Sequence, residues 1–196
     1  MTRYTARALV ALLSITLAAL PALAQSAGER DAMAAMQEAA TPGPMHEFWA
    51  SLAGTWHVRT RMWVQPGAEP VTSEATAETR MILGGRYMQE NFTGETPMGP
   101  FHGMSLTAYD NATRKVTAIW IDDMSTGMTV LTGKGCRPGN PLELSGLYDD
   151  PVTGQTIRIR TVTTYKDADH HHFDYYMQYP GQEEFLSLAM EYERVK

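Results

Sequence analysis

From Thr55 onward the chain alternates. Trp56, Val58, Thr60, Met62 and Val64 take one parity, while His57, Arg59, Arg61 and Trp63 take the other. A period of two puts the two sets on opposite faces of a strand. The alternation returns at 74–83, 86–94, 102–109, 115–121, 127–134, 142–148, 155–164, 171–179 and 185–194, which predicts about ten strands. Turn-forming clusters separate them, among them Pro66-Gly67, Gly84-Gly85, Asp110-Asn111, Asp149-Asp150-Pro151 and Pro180-Gly181. Connections this short make successive strands antiparallel neighbours. An open sheet of that size would leave two long unpaired edges, and closure removes them. The predicted fold is therefore all-β, an up-and-down antiparallel barrel of about ten strands, wide enough to keep a central cavity.

Ahead of the first strand the period changes. Phe48, Trp49 and Leu52 form one apolar face over Met45–Leu52, and Gly54 follows as a stop, so a short N-terminal helix is expected that can plug one end of the barrel. Residues 25–44 are rich in Ala, Gln, Glu, Gly and Pro and read as a flexible spacer holding at most a short helix. Residues 1–24 carry Arg3 and Arg7, an apolar run from Ala8 to Leu20, and Ala22-Leu23-Ala24, the pattern of a secretory signal peptide cleaved after Ala24. The expected organisation is a signal peptide at 1–24, a spacer at 25–44 and a single barrel domain at 45–196. The expected location is the periplasm or the exterior, with no stable membrane anchor. The apolar run is shorter than a spanning helix needs, and no Cys near the cleavage site offers a thiol for lipid attachment.

Composition narrows the partners. The 196 residues carry a net charge of −6, and removal of Arg3 and Arg7 would take the mature form to −8. That balance argues against nucleic acid. The single cysteine, Cys136, lies in the turn-like Gly135-Cys136-Arg137-Pro138-Gly139, so no intramolecular disulfide forms and stability must come from the core. Without a resolving partner it is assigned no role.

Leu52-Ala53-Gly54-Thr55-Trp56 resembles the Gly-x-Trp opening of lipocalins, fatty-acid-binding proteins and nitrobindin-like barrels. Taken with Ile82-Leu83-Gly84-Gly85-Arg86-Tyr87-Met88-Gln89-Glu90, Pro100-Phe101-His102-Gly103, Ala108-Tyr109-Asp110, Trp120-Ile121-Asp122 and Glu191-Tyr192-Glu193-Arg194, the chain resembles the bacterial domain-of-unknown-function family 1579 from about Met45 to Lys196. The resemblance implies a lipocalin-like (calycin) barrel and supplies no activity. Nitrobindin-like proteins hold haem through a His near the chain end. Here no His follows His172, so the resemblance brings no haem ligand with it.

Motifs for nucleophile elbows, zinc proteases, phosphate loops and structural zinc are absent. The candidate site is instead a scattered set: Trp56, Arg86, Glu90, His102, Tyr109, Trp120, Asp122 and Met128. Arg86 and Glu90 would orient a ligand carboxylate or hydroxyl, Trp56, Trp120 and Met128 would supply apolar wall, and His102 would line the mouth. Arg86, Met88, Glu90 and Phe92 share one strand face and Tyr87, Gln89 and Asn91 the other, and the pattern leaves open which looks inward. A structural Arg86–Glu90 pair among core tryptophans is the competing reading. His170-His171-His172 beside Asp167 and Asp169 reads as a solvated hairpin end, because alternation lets at most two of the run face one ion. The 13 methionines are dispersed and read as core filler, so neither metal nor cofactor is expected.

These readings favour an exported protein binding a small, partly apolar molecule inside the barrel. The alternatives are a hydrolase- or isomerase-like enzyme using Glu90 or Asp122 as acid or base with His102 or Tyr109 as partner, and a structural envelope interaction domain.

Overall fold

From Gly54 onward alternating sequence becomes alternating structure; the computed structural model describes residues 27–96 and 99–196, and the expected signal peptide lies outside the described residues. Two helices, α1 (Ala27–Ala40) and α2 (Pro44–Ser51), precede ten strands: β1 (Gly54–Met62), β2 (Val71–Ile82), β3 (Tyr87–Thr96), β4 (Gly99–Asp110), β5 (Lys115–Asp122), β6 (Thr129–Lys134), β7 (Leu142–Asp149), β8 (Thr156–Tyr165), β9 (His170–Gln178) and β10 (Phe185–Arg194). Each strand pairs antiparallel with its sequence neighbours, and β1 pairs with β10 to close the barrel. Observed strand ends fall within a few residues of the alternating segments.

Register decides what faces inward. Val58 stands opposite Ala75 on one side and Tyr192 on the other, and Ala77 stands opposite Phe92. All five are buried, so the apolar parities of neighbouring strands meet inside the wall. The outer parity carries charge, including Arg59, Glu74, Glu78, Arg158 and Arg160. This differs from the lipid-facing apolar band of an outer-membrane barrel. Among the described residues no helix is long and apolar enough to cross a membrane.

Helix α2 closes the end where β1 begins. Pro44 opens it, a position where the missing N–H costs nothing, and it buries Met45, His46 and Trp49 against the barrel floor. At the same end the Gly-x-Trp segment has a physical explanation. Gly54 takes φ 142, and a Cβ there would stand 2.7 Å from the Arg194 guanidinium. That guanidinium lies over the Trp56 ring at 4.2 Å. The spacer differs from expectation. Residues 27–40 form a 14-residue exposed helix, because Ala, Glu, Gln and Met are strong helix formers and nothing breaks the run before Pro42. Asn111 tethers its end by donating to the carbonyls of Ala39 and Thr41.

The wall is laced unevenly. Nine strand junctions carry extended ladders, but β6 and β7 share only the pair Thr132 and Ser145. Their backbones approach so closely that a Cβ at Gly133 would run into the Glu143 carbonyl oxygen, and one at Gly146 into that of Val130. Gly133→Ala is therefore expected to cost about 2 kcal/mol by overpacking against backbone that has no side chain to move aside. Gly127→Ala, with open space around it, is the near-neutral control. Equal urea midpoints for the two variants would refute the account.

Candidate functional site

The barrel is filled at one end and hollow toward the other. Trp49, Trp56 and Val58 are fully buried at the floor. Above them a cavity of about 770 Å³ runs to the opposite rim, where Met62, Val71, Thr96, Met124 and Val152 border it. That volume is in the range of small-molecule sites.

The floor of the cavity carries a buried carboxyl. The register sets Thr79 opposite Glu90, and the Thr79 hydroxyl donates to Glu90 Oε2 at 3.2 Å. From β10 the Tyr192 hydroxyl donates to Glu90 Oε1 at 3.4 Å. Glu90 lies deep within the wall yet is only half-buried by surface, because its free side opens onto the hollow. Burial pushes its pKa up to about 7, against the opposing pull of the hydrogen bonds from Thr79 and Tyr192. Burial, reinforced by the neighbouring Glu90 charge, holds the Tyr192 hydroxyl well above its ordinary value, so it stays a neutral donor.

Tyr192 stacks on His171, with ring centroids 4.1 Å apart, and His171 meets Trp56 edge-on at 4.5 Å. His171 lines the cavity at 8% exposure, and its Nδ1 is buried without a hydrogen-bond partner. Burial lowers its pKa to about 4, with the Arg194 and His172 charges adding to the effect, so the ring is neutral near pH 7.

Nearer the rim the wall is aromatic. Trp120 stacks on Phe101 at 6.2 Å and meets Phe92 edge-on at 6.2 Å. Its Nε1 donates to Asp122 Oδ2 at 2.7 Å, and Asp122 Oδ1 accepts from the Met124 amide. The ring lies across Gly103, where any side chain would occupy its place. Tyr148, Phe173 and Tyr175 complete the opposite wall.

Of the eight expected site residues, Glu90, Trp120 and Asp122 line the cavity. Trp56 and Tyr109 pack at the floor, Trp56 beneath Arg194 and Tyr109 edge-on to His46 at 5.8 Å. Arg86, His102 and Met128 do not line it. Arg86 shares Glu90's parity in sequence, but β3 begins only at Tyr87. In the preceding turn the exposed guanidinium donates to the carbonyls of Leu83 and Gly84, so it neither pairs with Glu90 nor reaches the interior. His102 has the outward parity of β4 and is exposed, and Met128 lies in the rim loop at 58% exposure.

Thr79, His171 and Tyr192 are the polar cavity-lining positions beside Glu90 that sequence reasoning missed. The solvated reading fits His170, which contacts Asp167 from an exposed position, but not His171. His172 lies on the outer face between Asp174 at 2.7 Å and Glu191 at 2.9 Å. Among the described residues no group of three or more His, Cys, Asp or Glu is placed to hold a metal ion. The Cys136 thiol, pushed up by burial, is 3.5 Å from the Asn140 carbonyl oxygen.

Residues 41–194 match the sequence model of a family described as "Protein of unknown function (DUF1579)". A search of curated proteins finds no match. Among solved structures, the chain is similar to one titled "Crystal Structure of Rv2717c from M. tuberculosis", with 15% sequence identity and a TM-score of 0.57, covering 80% of this chain and 100% of that one. At that identity the likeness concerns the fold alone.

Proposed function

We propose that this chain, which belongs to the DUF1579 family, is an exported binding protein that holds a small, partly apolar molecule inside its barrel. The observation that carries the reading is the hollow itself: about 770 Å³ enclosed by a closed wall of mainly apolar and aromatic side chains, with one deep carboxyl as the fixed polar point. Folded chains close-pack their interiors, and a space this large sacrifices dispersion contacts that a packed core would keep. Such a cost is sensible where another molecule supplies the missing contacts. Export rests on the pattern at residues 1–24, and a periplasmic or secreted location is part of the proposal.

The test is native mass spectrometry of protein purified from its own compartment without refolding, paired with a variant whose cavity is filled from opposite walls, Ala118→Trp with Thr163→Phe. Both positions line the cavity. The expected result is a reproducible bound molecule in the wild type and none in the filled variant. A ligand at a hundred times its Kd should add about 2.7 kcal/mol to wild-type stability and nothing to the variant. Equal retention of the molecule by both proteins would place it outside the barrel and remove the proposal.

Glu90 favours a second reading. A carboxyl with a pKa of about 7 is matched to proton transfer near neutrality, as an isomerase- or hydrolase-like enzyme would require. Turnover that vanishes in a folded Glu90→Gln variant would establish it. It ranks second because the Tyr192 hydroxyl already donates to Glu90 and is not free to stabilise a developing oxyanion.

A further inference from the structure

The interior has a charge sign. Among the described residues its lining includes Glu90 at the floor and Asp122 and Glu95 toward the rim, and includes no Lys or Arg. The cationic residues of the outer wall stay outside: Arg59 and Arg61 belong to a surface groove on β1, and Arg160 is held by Glu184 with Nη2 to Oε1 at 2.6 Å. Arg194, the cation nearest the floor, is separated from the cavity by Trp56 and its N–H groups are spent on carbonyls. An anionic head group entering the barrel would therefore meet carboxylates and no counter-charge, in surroundings that screen little.

The floor is built to receive hydrogen-bond donors. Each Glu90 oxygen accepts one bond from the wall, and a carboxylate offers about four lone-pair directions, so acceptor capacity remains on the side facing the hollow. Beside it the His171 ring, stacked on Tyr192, carries its Nδ1 buried and out of a ligand's reach, so the carboxyl of Glu90 is the acceptor that the floor presents. The wall above is rich in ring faces, which attract positive charge through their quadrupole: Phe92, Phe101, Trp120, Phe173, Tyr175 and Tyr192.

We propose that the ligand is an amphipathic amine, whose ammonium group binds Glu90 at the floor while its apolar body lies against the aromatic wall. The inference rests on the cavity being a binding site, and it goes beyond that reading by fixing the sign and class of the head group. It excludes fatty acids and other carboxylates, which an Arg86-lined interior would have favoured. Binding of the cation keeps Glu90 ionised, so the pair forms with release of whatever proton Glu90 holds. Thr79, Tyr192 and Tyr165, the other polar side chains around it, remain neutral throughout.

The experiment compares decylamine, decanol and decanoate, below their aggregation limits, by calorimetric titration into the wild type, Glu90→Gln, Glu78→Gln on the exposed outer face of β2, and the filled variant. Decylamine should bind at least about ten-fold tighter than the other two, Glu90→Gln should cancel that preference while leaving decanol within about three-fold, and Glu78→Gln should retain it. Gln is isosteric: its Oε1 still accepts from one of the two hydroxyls, and its Nε2 donates to the oxygen of the other, which turns its own proton away; unchanged circular dichroism and decanol binding would show that it folds. If decanol or decanoate binds wild type as tightly as the amine, or if Glu90→Gln leaves amine affinity intact, the amine inference falls while the binding cavity stands. If the filled variant binds decylamine like wild type, the amine is on the acidic exterior and the inference also falls. If none of the three binds wild type, the amine inference falls, and the cavity reading is decided separately by the native mass spectrometry of wild type and filled variant.

Discussion

Arg194→Met is expected to lower unfolding stability by about 1.5 to 3 kcal/mol, the range for hydrogen bonds to a charged group. The guanidinium joins three parts of the chain. Nη1 donates to Ala53 O at 2.8 Å and Nη2 to Ser51 O at 2.9 Å, which fixes the exit from α2. Nη2 and Nε both donate to Ala168 O in the β8–β9 turn, and Nε lies 3.2 Å from Asp169 Oδ1. Its flat face covers Trp56, which is fully buried. Methionine keeps the stem's apolar cover but leaves three carbonyls and a carboxylate to find water at the barrel's closed end. Lysine should recover only a minor part, since an ammonium cannot reproduce the planar fork. Urea titration reads the result as a lowered midpoint at constant slope. A loss under about 1 kcal/mol would show that the clasp is not what holds the floor.

The second large effect is a hidden pH dependence. Glu90 has a folded-state pKa of about 7 against 4.5 for the free side chain, so the folded chain binds its proton more tightly than the unfolded chain does. Its contribution is fully present below pH 4.5 and is lost as pH rises through 7. His171 runs the other way. Its pKa of about 4 lies below the ordinary 6.5, so its contribution is present above pH 6.5 and is lost as pH falls through 4. At about 1.36 kcal/mol per pH unit the two slopes oppose each other between pH 4.5 and 6.5, and the wild type should be nearly flat there. Glu90→Gln should become more stable than wild type at pH 8, by up to about 3 kcal/mol, and lose stability on acidification toward pH 4.5. His171→Phe, which preserves the stack on Tyr192, should instead lose stability as pH rises from 4.5 to 7. Asp110, Asp150, Asp167 and Glu191 are held below their usual values and lose their contributions below this window. Parallel pH profiles for wild type and both variants would refute the pairing.

Strand parity was the legible part of this sequence. Alternation placed the strands to within a few residues, because a wall with one wet and one dry face imposes a period of two on nearly every segment. The inward parity of β3 was also within reach. Met88 and Phe92 are apolar on the face that Glu90 shares, whereas Tyr87, Gln89 and Asn91 on the other are mostly polar. Parity failed at Arg86 because it holds only inside a strand, and the Gly84-Gly85 turn reorients the chain one residue before β3 starts. His171 was obscured by its two histidine neighbours, yet it continues the set Phe173, Tyr175 and Met177 at steps of two. What no local pattern carried was partnership: Thr79, Glu90 and Tyr192 come from three strands, and only the register across closure brings them together.

Between β6 and β7 one regular bridge, Thr132 with Ser145, stands where the other junctions of the described residues carry ladders, and close backbone approach at Gly133 and Gly146 supplies the rest. Opening this junction breaks the fewest paired positions. Parting there would lay the cylinder out as a single sheet, with the glycine-bearing strands as its two free margins. The chain's first and last strands, pinned to each other by β1–β10 pairing and by Arg194, would then sit in the middle of that sheet.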